Sequence, residues 1–176
     1  MKAQSLQPAS QPRRASWRHR LVMRLINLYP PFLGAGIRVR RLQPGDPEAP
    51  TDGPAFRVRM PLTILNRNYF GTQFGGGLYM MCDPFFLLLL VEELGPGYVT
   101  WDKAATIRFR RPGRGTVHAR FEIGPERVAE IRAAADRDGK VEPTFLAEVL
   151  DDEGQVIAEV EKLLYVRKKP PQAPAP

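Results

Sequence analysis

Cysteine and histidine are scarce in this chain of 176 residues, which contains one cysteine, Cys82, and two histidines, His19 and His118. A single cysteine excludes an internal disulfide and any metal site built from several thiolates. The two histidines are far apart in sequence, and the chain has no HExxH or CxxC motif, so no zinc-binding pattern is present. We therefore expect neither a disulfide framework nor a resident metal.

Long hydrophobic runs are also absent. The longest apolar run without a charge is Pro84 to Val91, far short of the roughly 20 residues that span a bilayer. The apolar fraction of 43 % is nevertheless enough for one hydrophobic core at this chain length. We expect a single domain over residues 17–167, flanked by disordered tails at residues 1–16 and 168–176. The first tail lacks the apolar segment of a secretory signal, and we expect a cytoplasmic protein.

Acidic residues are missing from the first quarter of the chain. Residues 1–41 contain nine lysines and arginines and no acid, although the whole chain has a net charge of +7. The positive charge is thus a property of the N-terminal quarter of the chain and not of the whole fold, which argues against a nucleic-acid partner. Solvated tail charge is one interpretation. Contact of an amphipathic helix over residues 17–29 with a membrane surface is the alternative.

The hydrophobic pattern predicts one buried helix enclosed by strands. Residues 75–94 are apolar on nearly all faces, which is typical of a helix buried in the protein, and Pro84 predicts a kink or a new helix start within it. Alternating patterns predict about six strands, two before this helix and four after it. We therefore predict an α+β hotdog fold, an antiparallel sheet wrapped around one long central helix, plus an N-terminal helix that ends at Pro30 and Pro31.

A glycine-rich segment, Asn68 to Gly77, leads directly into the buried helix. Glycines let a ligand approach the backbone, and the first turn of a helix offers unpaired N–H groups to a carbonyl oxygen. The alternative is a tight loop that only packs the helix against the sheet. Asp83, the sole acid between Asp52 and Glu92, lies in the apolar stretch, where it either caps a helix that begins at Pro84 or serves the site.

Basic residues near the later strands suggest a second contact. Arg108, Arg110, Arg111 and Arg114 could bind the phosphates of coenzyme A, or could form an ordinary solvated strand end. Alternation places Lys103 on a core-facing side with Trp101, and Asp102 on the other side. A buried lysine needs an acid, and Asp83 or Glu92 could supply it. A Lys103–Asp83 pair would make the carboxylate a weaker base and would favour a binding role.

Two segments carry a family resemblance. The pattern Asn68-x-x-Gly71-Thr72-x-Phe74-Gly75-Gly76, followed by Asp83, resembles hotdog-fold acyl-CoA thioesterases of the phenylacetyl-CoA thioesterase type. These show Asn-x-x-Gly-x-x-His-Gly-Gly with a catalytic Asp seven residues later. The segment from Arg108 to Gly115 resembles their later strand, which ends in an Arg-Pro turn. The likeness extends over about residues 21–166 and is strongest to the domain-of-unknown-function family 4442.

The resemblance implies a role for each matching position. The Gly76 amide would polarise a thioester carbonyl, Asn68 would orient substrate or water, and Asp83, contributed across a dimer interface, would be general base or nucleophile. The loop residues Gly71, Thr72, Phe74 and Gly75 would contact substrate, with Phe74 in place of the family histidine. Hotdog dehydratases need a catalytic histidine near this helix, and neither histidine of the chain is placed there.

The resulting hypothesis is hydrolysis of a fatty or aromatic acyl-CoA by a homodimer or a dimer of dimers, with coenzyme A entering as part of the substrate and no cofactor. The alternative is a non-catalytic protein that binds an acyl group or a lipid. The hydrolytic hypothesis needs one cleft that reaches both the Gly76 amide and the Asp83 carboxylate.

Overall fold

An antiparallel sheet frames the structure, a computed structural model that describes residues 21, 25–42, 46–49 and 53–170. The strands in this part of the chain are β1 (Arg38–Leu42), β2 (Ala55–Met60), β3 (Tyr98–Phe109), β4 (Val117–Glu122), β5 (Lys140–Val141), β6 (Thr144–Asp151) and β7 (Val156–Lys168). The helices are α1 (Pro30–Ala35), α2 (Gly75–Met80), α3 (Phe85–Leu94) and α4 (Pro125–Asp138).

The strands follow the order β1-β2-β4-β6-β7-β3, and β5 pairs with β7 outside this path. Every pairing is antiparallel. β3 is therefore an edge strand of 12 residues that pairs with β7 alone among the described strands. A long edge strand presents unpaired backbone groups that another chain can pair with.

The apolar helix α3 lies against the inner face of the sheet. Phe85 at its start is fully buried, and its ring packs against Phe56 of β2 at 5.4 Å and Phe121 of β4 at 4.8 Å between centroids. Aromatic pairs at these separations add to the stabilisation from burial alone. This arrangement confirms the predicted hotdog fold, with seven described strands in place of about six because β5 adds a short two-residue strand.

The central helix is broken at the position where the sequence predicted a kink. α2 ends at Met80 and α3 begins at Phe85, with Pro84 as its N-cap residue. Proline has no N–H to donate within a helix, so a new helix starts after it. No side chain forms a hydrogen bond at this N-cap. The break leaves Asp83 in a turn between two helices. Its carboxylate accepts hydrogen bonds from Tyr79 and Lys162 and does not cap α3.

The N-terminal helix differs from the sequence prediction. Residues 17–20 and 22–24 of the predicted helix lie outside the described residues. Ile26–Leu28 form a 3-10 turn that ends before Pro30, and Pro30 then begins a further helix, α1, that the sequence did not predict. A proline fits the first helical position because the N–H it lacks would be unpaired there. No helix among the described residues is both long and apolar enough to cross a membrane.

The predicted tails contribute little to this description. Residues 1–16 and 171–176 lie outside the described residues. Lys168, the first residue of the predicted second tail, is the last residue of β7.

Candidate functional site

Asn68 organises the glycine-rich loop through its side chain. Its Oδ1 accepts hydrogen bonds from the backbone N–H groups of Phe70 (2.9 Å) and Thr72 (3.1 Å). Its Nδ2 donates to Thr72 Oγ1 (2.9 Å) and to the Gln73 carbonyl (3.2 Å). The amide is thus fully used within the loop. Gly71 closes this turn with a φ of 78°, a backbone conformation that glycine adopts readily.

Gln73 joins the loop to the Arg-Pro turn and was not identified from the sequence. Its backbone N–H donates to the Gly113 carbonyl (2.8 Å), and its Nε2 donates to the carbonyls of Met60 (3.1 Å) and Gly115 (3.0 Å). The side chain is buried. Because Gln73 lies in a loop, no helical or strand periodicity of the sequence indicates that it is buried. The two segments that carry the family resemblance are therefore held together directly.

Gly76 lies in the first turn of α2 with the ring of Phe74 beside it. A Cβ atom built on Gly76 would lie 2.4 Å from Phe74 Cε1, so no larger residue fits while the ring keeps this position. At the start of α2, the backbone N–H of Leu78 donates a hydrogen bond to the carbonyl of Phe74 at 3.1 Å. The amides of Gly75 and Gly76 precede it, where N–H groups have no partner within a helix.

Asp83 belongs to a cluster centred on a buried lysine. Lys162 of β7 has no exposed side-chain surface, and its Nζ lies 2.8 Å from Asp83 Oδ1 and 3.2 Å from Asp102 Oδ1. The Tyr79 hydroxyl donates to Asp83 Oδ1 at 2.7 Å. The Asp83 side chain remains 44 % exposed, and its Oδ2 forms no hydrogen bond with the described residues. One carboxylate oxygen is thus held while the other is open.

Burial and the charges of this cluster together shift the pKa values of Lys162, Asp102 and Tyr79. Burial alone would lower the pKa of Lys162, but the hydrogen bond and charge of Asp83, together with Asp102 and Tyr79, raise it overall. Burial raises the pKa of Asp102 against the opposing effect of Lys162. Burial and the hydrogen bond to Asp83 raise the pKa of the Tyr79 hydroxyl. Lys162 therefore stays charged at neutral pH and can hold Asp83 by charge as well as by geometry.

The sequence prediction for Lys103 is wrong, because β3 contains a bulge. Asp102 pairs with Leu164 and Ala104 with Leu163, so Lys103 is the extra residue between them. A bulge reverses the alternation of side chains beyond it. Asp102 consequently faces the same side as Lys162, whereas Lys103 is exposed and forms an ion pair with Glu142 at 2.6 Å.

Lys162 itself had a signal in the sequence. It interrupts an alternating row of buried residues in β7, namely Ala158, Val160, Leu164 and Val166. A single lysine in such a row needs acidic partners. A lone lysine at a core-facing position of an alternating strand indicates a buried ion pair. This pattern is misleading at Lys103 on the edge strand β3 but correct at Lys162 on the interior strand β7.

The four arginines are divided in their contacts. Arg110 forms a two-pronged pair with Glu159, at 3.0 Å and 2.8 Å. Arg111 donates to Gln155 Oε1. Arg108 and Arg114 form no ion pair with the described residues. Glu159 thus pairs directly with Arg110, and the charge of Arg108 also helps to lower the pKa of that carboxylate. Arg114 is the exposed guanidinium group of the four with no charged or hydrogen-bonding partner among the described residues.

Some of the candidate residues line two separate cavities, and neither lining includes Gly76. Asn68, Gly75, Arg110 and Arg111 line one of about 390 Å³. Asp83 lines another of about 890 Å³, beside Met80, Pro84 and Leu88 of the central helices. Within one chain, the glycine-rich loop and Asp83 thus face different cavities.

His118 lies apart from both cavities. Its Nε2 is 2.6 Å from Asp152 Oδ1, in the turn between β6 and β7. The side chain therefore contacts neither Asp83 nor the glycine-rich loop.

Cys82 is expected to be chemically inert in the folded protein. The side chain is fully buried, and burial raises the pKa of its thiol to about 12. At pH 8 only about one thiol in ten thousand would then be ionised. A thiol-specific reagent should label Cys82 only on unfolding, which can be measured by labelling with and without denaturant. Rapid stoichiometric labelling of the native protein would contradict this expectation.

Comparison with known proteins places the chain in one family. The family model described as Domain of unknown function (DUF4442) matches residues 18–166. A search of curated proteins finds no match.

Solved structures with the same fold include three that cover most of the chain. A Pseudomonas aeruginosa protein of unknown function, named a probable thioesterase, is 24 % identical with a TM-score of 0.71, covering 89 % of this chain and 99 % of its own. A Haemophilus influenzae thioesterase is 15 % identical with a TM-score of 0.58, covering 83 % and 88 %. The Escherichia coli PaaI protein, from the phenylacetic acid degradation operon, is 17 % identical with a TM-score of 0.55, covering 88 % and 93 %. The TM-scores show that these structures share the hotdog fold. At sequence identities this low, the similarity shows the fold alone.

Proposed function

Because the chain belongs to the DUF4442 family and has a hotdog fold, we propose that it hydrolyses an acyl-CoA thioester with Asp83 as general base or nucleophile. The observation that carries this proposal is the held and half-exposed carboxylate of Asp83 at the edge of a large apolar cavity. Two of the similar structures are named as thioesterases, which supports the same reaction class.

The reaction uses the two oxygens of Asp83 differently. Oδ1 accepts hydrogen bonds from Tyr79 and Lys162, which fix the carboxylate. As general base, Oδ2 takes a proton from water while the water oxygen bonds to the thioester carbon. The carbon–sulfur bond then breaks, the thiolate of coenzyme A recovers the proton, and the free acid is released. As nucleophile, Oδ2 would bond to the same carbon while the carbon–sulfur bond breaks, which gives a mixed anhydride and the thiolate of coenzyme A. Water would then cleave the anhydride to the free acid and the Asp83 carboxylate, and the proton that the water loses would go to the thiolate.

The Gly76 amide polarises the thioester carbonyl in this proposal, and Asn68 acts by holding the loop that positions that amide. Gly75 and Asp83 line different cavities of one chain, so the proposed site combines the glycine-rich loop of one copy with Asp83 of a second copy. Two features support a dimer. β3 is an edge strand, and the loop beside it exposes large apolar side chains, Ile64, Leu65, Tyr69, Phe70 and Phe74. Such a surface is typical of an interface.

Replacing Phe70 by glutamate is expected to shift the protein towards the monomer, because a carboxylate would have to be desolvated in the interface. Light scattering after size exclusion measures the mass. Leu146→Glu on β6 is the matched control, since Leu146 is also an exposed apolar residue. An unchanged mass for Phe70→Glu would place the interface elsewhere.

Gly76→Ala separates the proposed role from a structural one. The added methyl group would displace the ring of Phe74, which is exposed and free to move. We expect the melting temperature to hold or rise slightly, since alanine is favoured over glycine in a helix, while kcat/KM falls by about tenfold or more through misplaced substrate. Gly34→Ala, where a Cβ meets nothing within 4 Å, is the control. Equal activities of the two variants would contradict the role of Gly76.

The arginines bind the phosphates of coenzyme A in this proposal. Arg114 has no charged partner among the described residues, and Arg108 acts on Glu159 only through its charge, so these two are the stronger candidates. Arg110 and Arg111 also line the loop cavity but already contact Glu159 and Gln155. Coenzyme A enters as part of the substrate, and the proposed steps need no cofactor.

A non-catalytic acyl-binding protein is the second candidate, and the Asp83–Lys162 ion pair favours it. In such a protein the ion pair with the buried Lys162 gives the Asp83 carboxylate a structural role. Phe74 in place of the family histidine also removes a polar contact to the carbonyl. Binding of an acyl-CoA without hydrolysis would fit this arrangement.

A panel of acyl-CoA substrates separates the two candidates. The full chain is incubated with acetyl, octanoyl, palmitoyl and phenylacetyl thioesters, and released thiol is measured alongside binding by calorimetry. Release above the uncatalysed rate supports hydrolysis. Binding with no release would reject hydrolysis and support the second candidate.

A further inference from the structure

An apolar groove lies beside Asp83. Its lining combines Leu21 and side chains of residues 25–32 with side chains of the central helices. Its volume is about 890 Å³. The acyl groove, as we name it, has a lining that includes Leu21, Leu25, Leu28, Tyr29, Asp83 and Leu88. Asp83 is the sole charged residue in this lining.

We propose that the acyl groove holds a long unbranched aliphatic chain, with the thioester end of the ligand at Asp83. This inference rests on the proposed function in one respect, the assignment of Asp83 to the reacting end. It adds the class of acyl group, which the proposed reaction leaves open between fatty and aromatic.

The size of the groove favours a long chain over a single aromatic ring. Ligand pockets in proteins have volumes of about 300–1,000 Å³, and the acyl groove is near the upper end of that range. A cavity of roughly 150 Å³ is enough to hold benzene. An aromatic acyl group would therefore leave most of the groove unfilled, whereas a flexible chain can extend along it.

The chemistry of the lining also favours an aliphatic chain. Leu21, Leu25 and Leu28 belong to this lining and are about half exposed or more, so they present apolar surface to water. A bound chain would remove that surface from water. The lining carries a charge only at Asp83, and Tyr29 adds a hydroxyl, while the other lining side chains are apolar. This lining fits a ligand that is polar at one end and apolar along most of its length.

Chain length then sets affinity. Each methylene moved from water into the groove should tighten binding by up to about fourfold, the equivalent of the transfer free energy of one buried CH₂. An aromatic-specific site would show no such progression.

The test uses S-alkyl-CoA thioethers of two, eight and twelve carbons, which have no scissile carbonyl, so binding is measured independently of hydrolysis. Calorimetry on the full chain gives the affinities. We expect affinity to rise with length. Leu25→Glu should lower affinity for the twelve-carbon probe by at least about tenfold and leave the two-carbon probe nearly unchanged, because it places a carboxylate in the groove.

Leu33→Glu is the matched control. Leu33 is 45 % exposed and Leu25 is 47 % exposed, but Leu33 does not belong to the lining of the groove. It should bind all three probes as the unmodified chain does. Affinity that does not depend on length, or the same loss in both variants, would overturn the proposal.

Other occupants of the groove give different results in the same samples. A change of oligomeric mass in Leu25→Glu with unchanged probe affinity would make the groove a contact between copies. Loss of binding to anionic vesicles with unchanged probe affinity would make it a membrane contact. Either result overturns the proposal.

Failure of hydrolysis is distinguishable from failure of the groove. Length-dependent binding that Leu25→Glu abolishes, without thiol release from any substrate, would support the groove and reject hydrolysis. Thiol release with a KM that depends neither on chain length nor on Leu25 would support hydrolysis and reject the groove.

Discussion

Lys162→Met is expected to lower the free energy of unfolding by about 3 kcal/mol at neutral pH. Lys162 is fully buried and lies between Asp83 and Asp102. Methionine fills similar space but leaves two neighbouring carboxylates without their cation. Breaking a buried ion pair by removing one partner typically costs about 3–5 kcal/mol. The lower end applies because Asp83 is half exposed and can be rehydrated. Denaturant unfolding measures the change.

The pH dependence of this loss has a definite sign. Burial already raises the pKa of Asp102 in the native protein, and removal of Lys162 raises it further. A group with a raised pKa stabilises the folded state at low pH and loses that contribution as pH rises through its folded value. The deficit of Lys162→Met should therefore be larger at pH 8 than at pH 5.

Two variants control the Lys162 experiment. Lys103→Met removes an exposed ion pair with Glu142 and should change stability by at most about 1 kcal/mol. The double variant Lys162→Met, Asp102→Asn removes the buried carboxylate as well and should recover part of the loss. Equal stabilities for Lys162→Met and Lys103→Met would show that the buried cluster contributes little.

Asp83→Asn should reduce thioester hydrolysis by about 10²–10⁴-fold, the range over which a positioned general base contributes. The asparagine Oδ1 can still accept hydrogen bonds from Tyr79 and Lys162, so the local geometry should persist. The fold loses one charge attraction to Lys162 but keeps that of Asp102, and we expect a cost of about 1–2 kcal/mol. Thiol release and thermal unfolding are measured on the same sample.

Asp136→Asn provides the matched control for Asp83→Asn. Asp136 accepts a hydrogen bond from the Tyr98 hydroxyl at 2.7 Å and pairs with Lys168 at 2.9 Å. It therefore has the same kinds of partner as Asp83, but it does not line the acyl groove. Full activity of Asp136→Asn with none in Asp83→Asn is the expected result. Unaltered turnover in Asp83→Asn would reject Asp83 as the reacting carboxylate.

The fold was predictable because it depends on patterns that repeat along the chain. Many residues contribute to the apolar stretch over residues 75–94 and to the alternation along each strand. One misjudged residue therefore does not change the predicted architecture. Pro84 predicted the break in the central helix for a local steric reason. At Pro30 the sequence predicted the end of one helical segment but not the start of α1, because proline occurs both after the end of a helix and at its first position.

The site was less predictable because single contacts define it. Asp83 was identified as an unusual acid, but its partner was sought on β3, where a bulge at Lys103 reverses the alternation. Bulges leave little trace in sequence, so Asp102 was assigned to the wrong face. Gln73 connects two distant turns through backbone carbonyls, and no periodic pattern reports such a connection.

The separation of the two cavities has a consequence for abundance. If one copy supplies the amide and another supplies the carboxylate, a working centre exists only in the assembled fraction of the population. At concentrations well below the dissociation constant of that assembly, output would grow with the square of the number of chains. A modest change in expression would then alter flux more than proportionally.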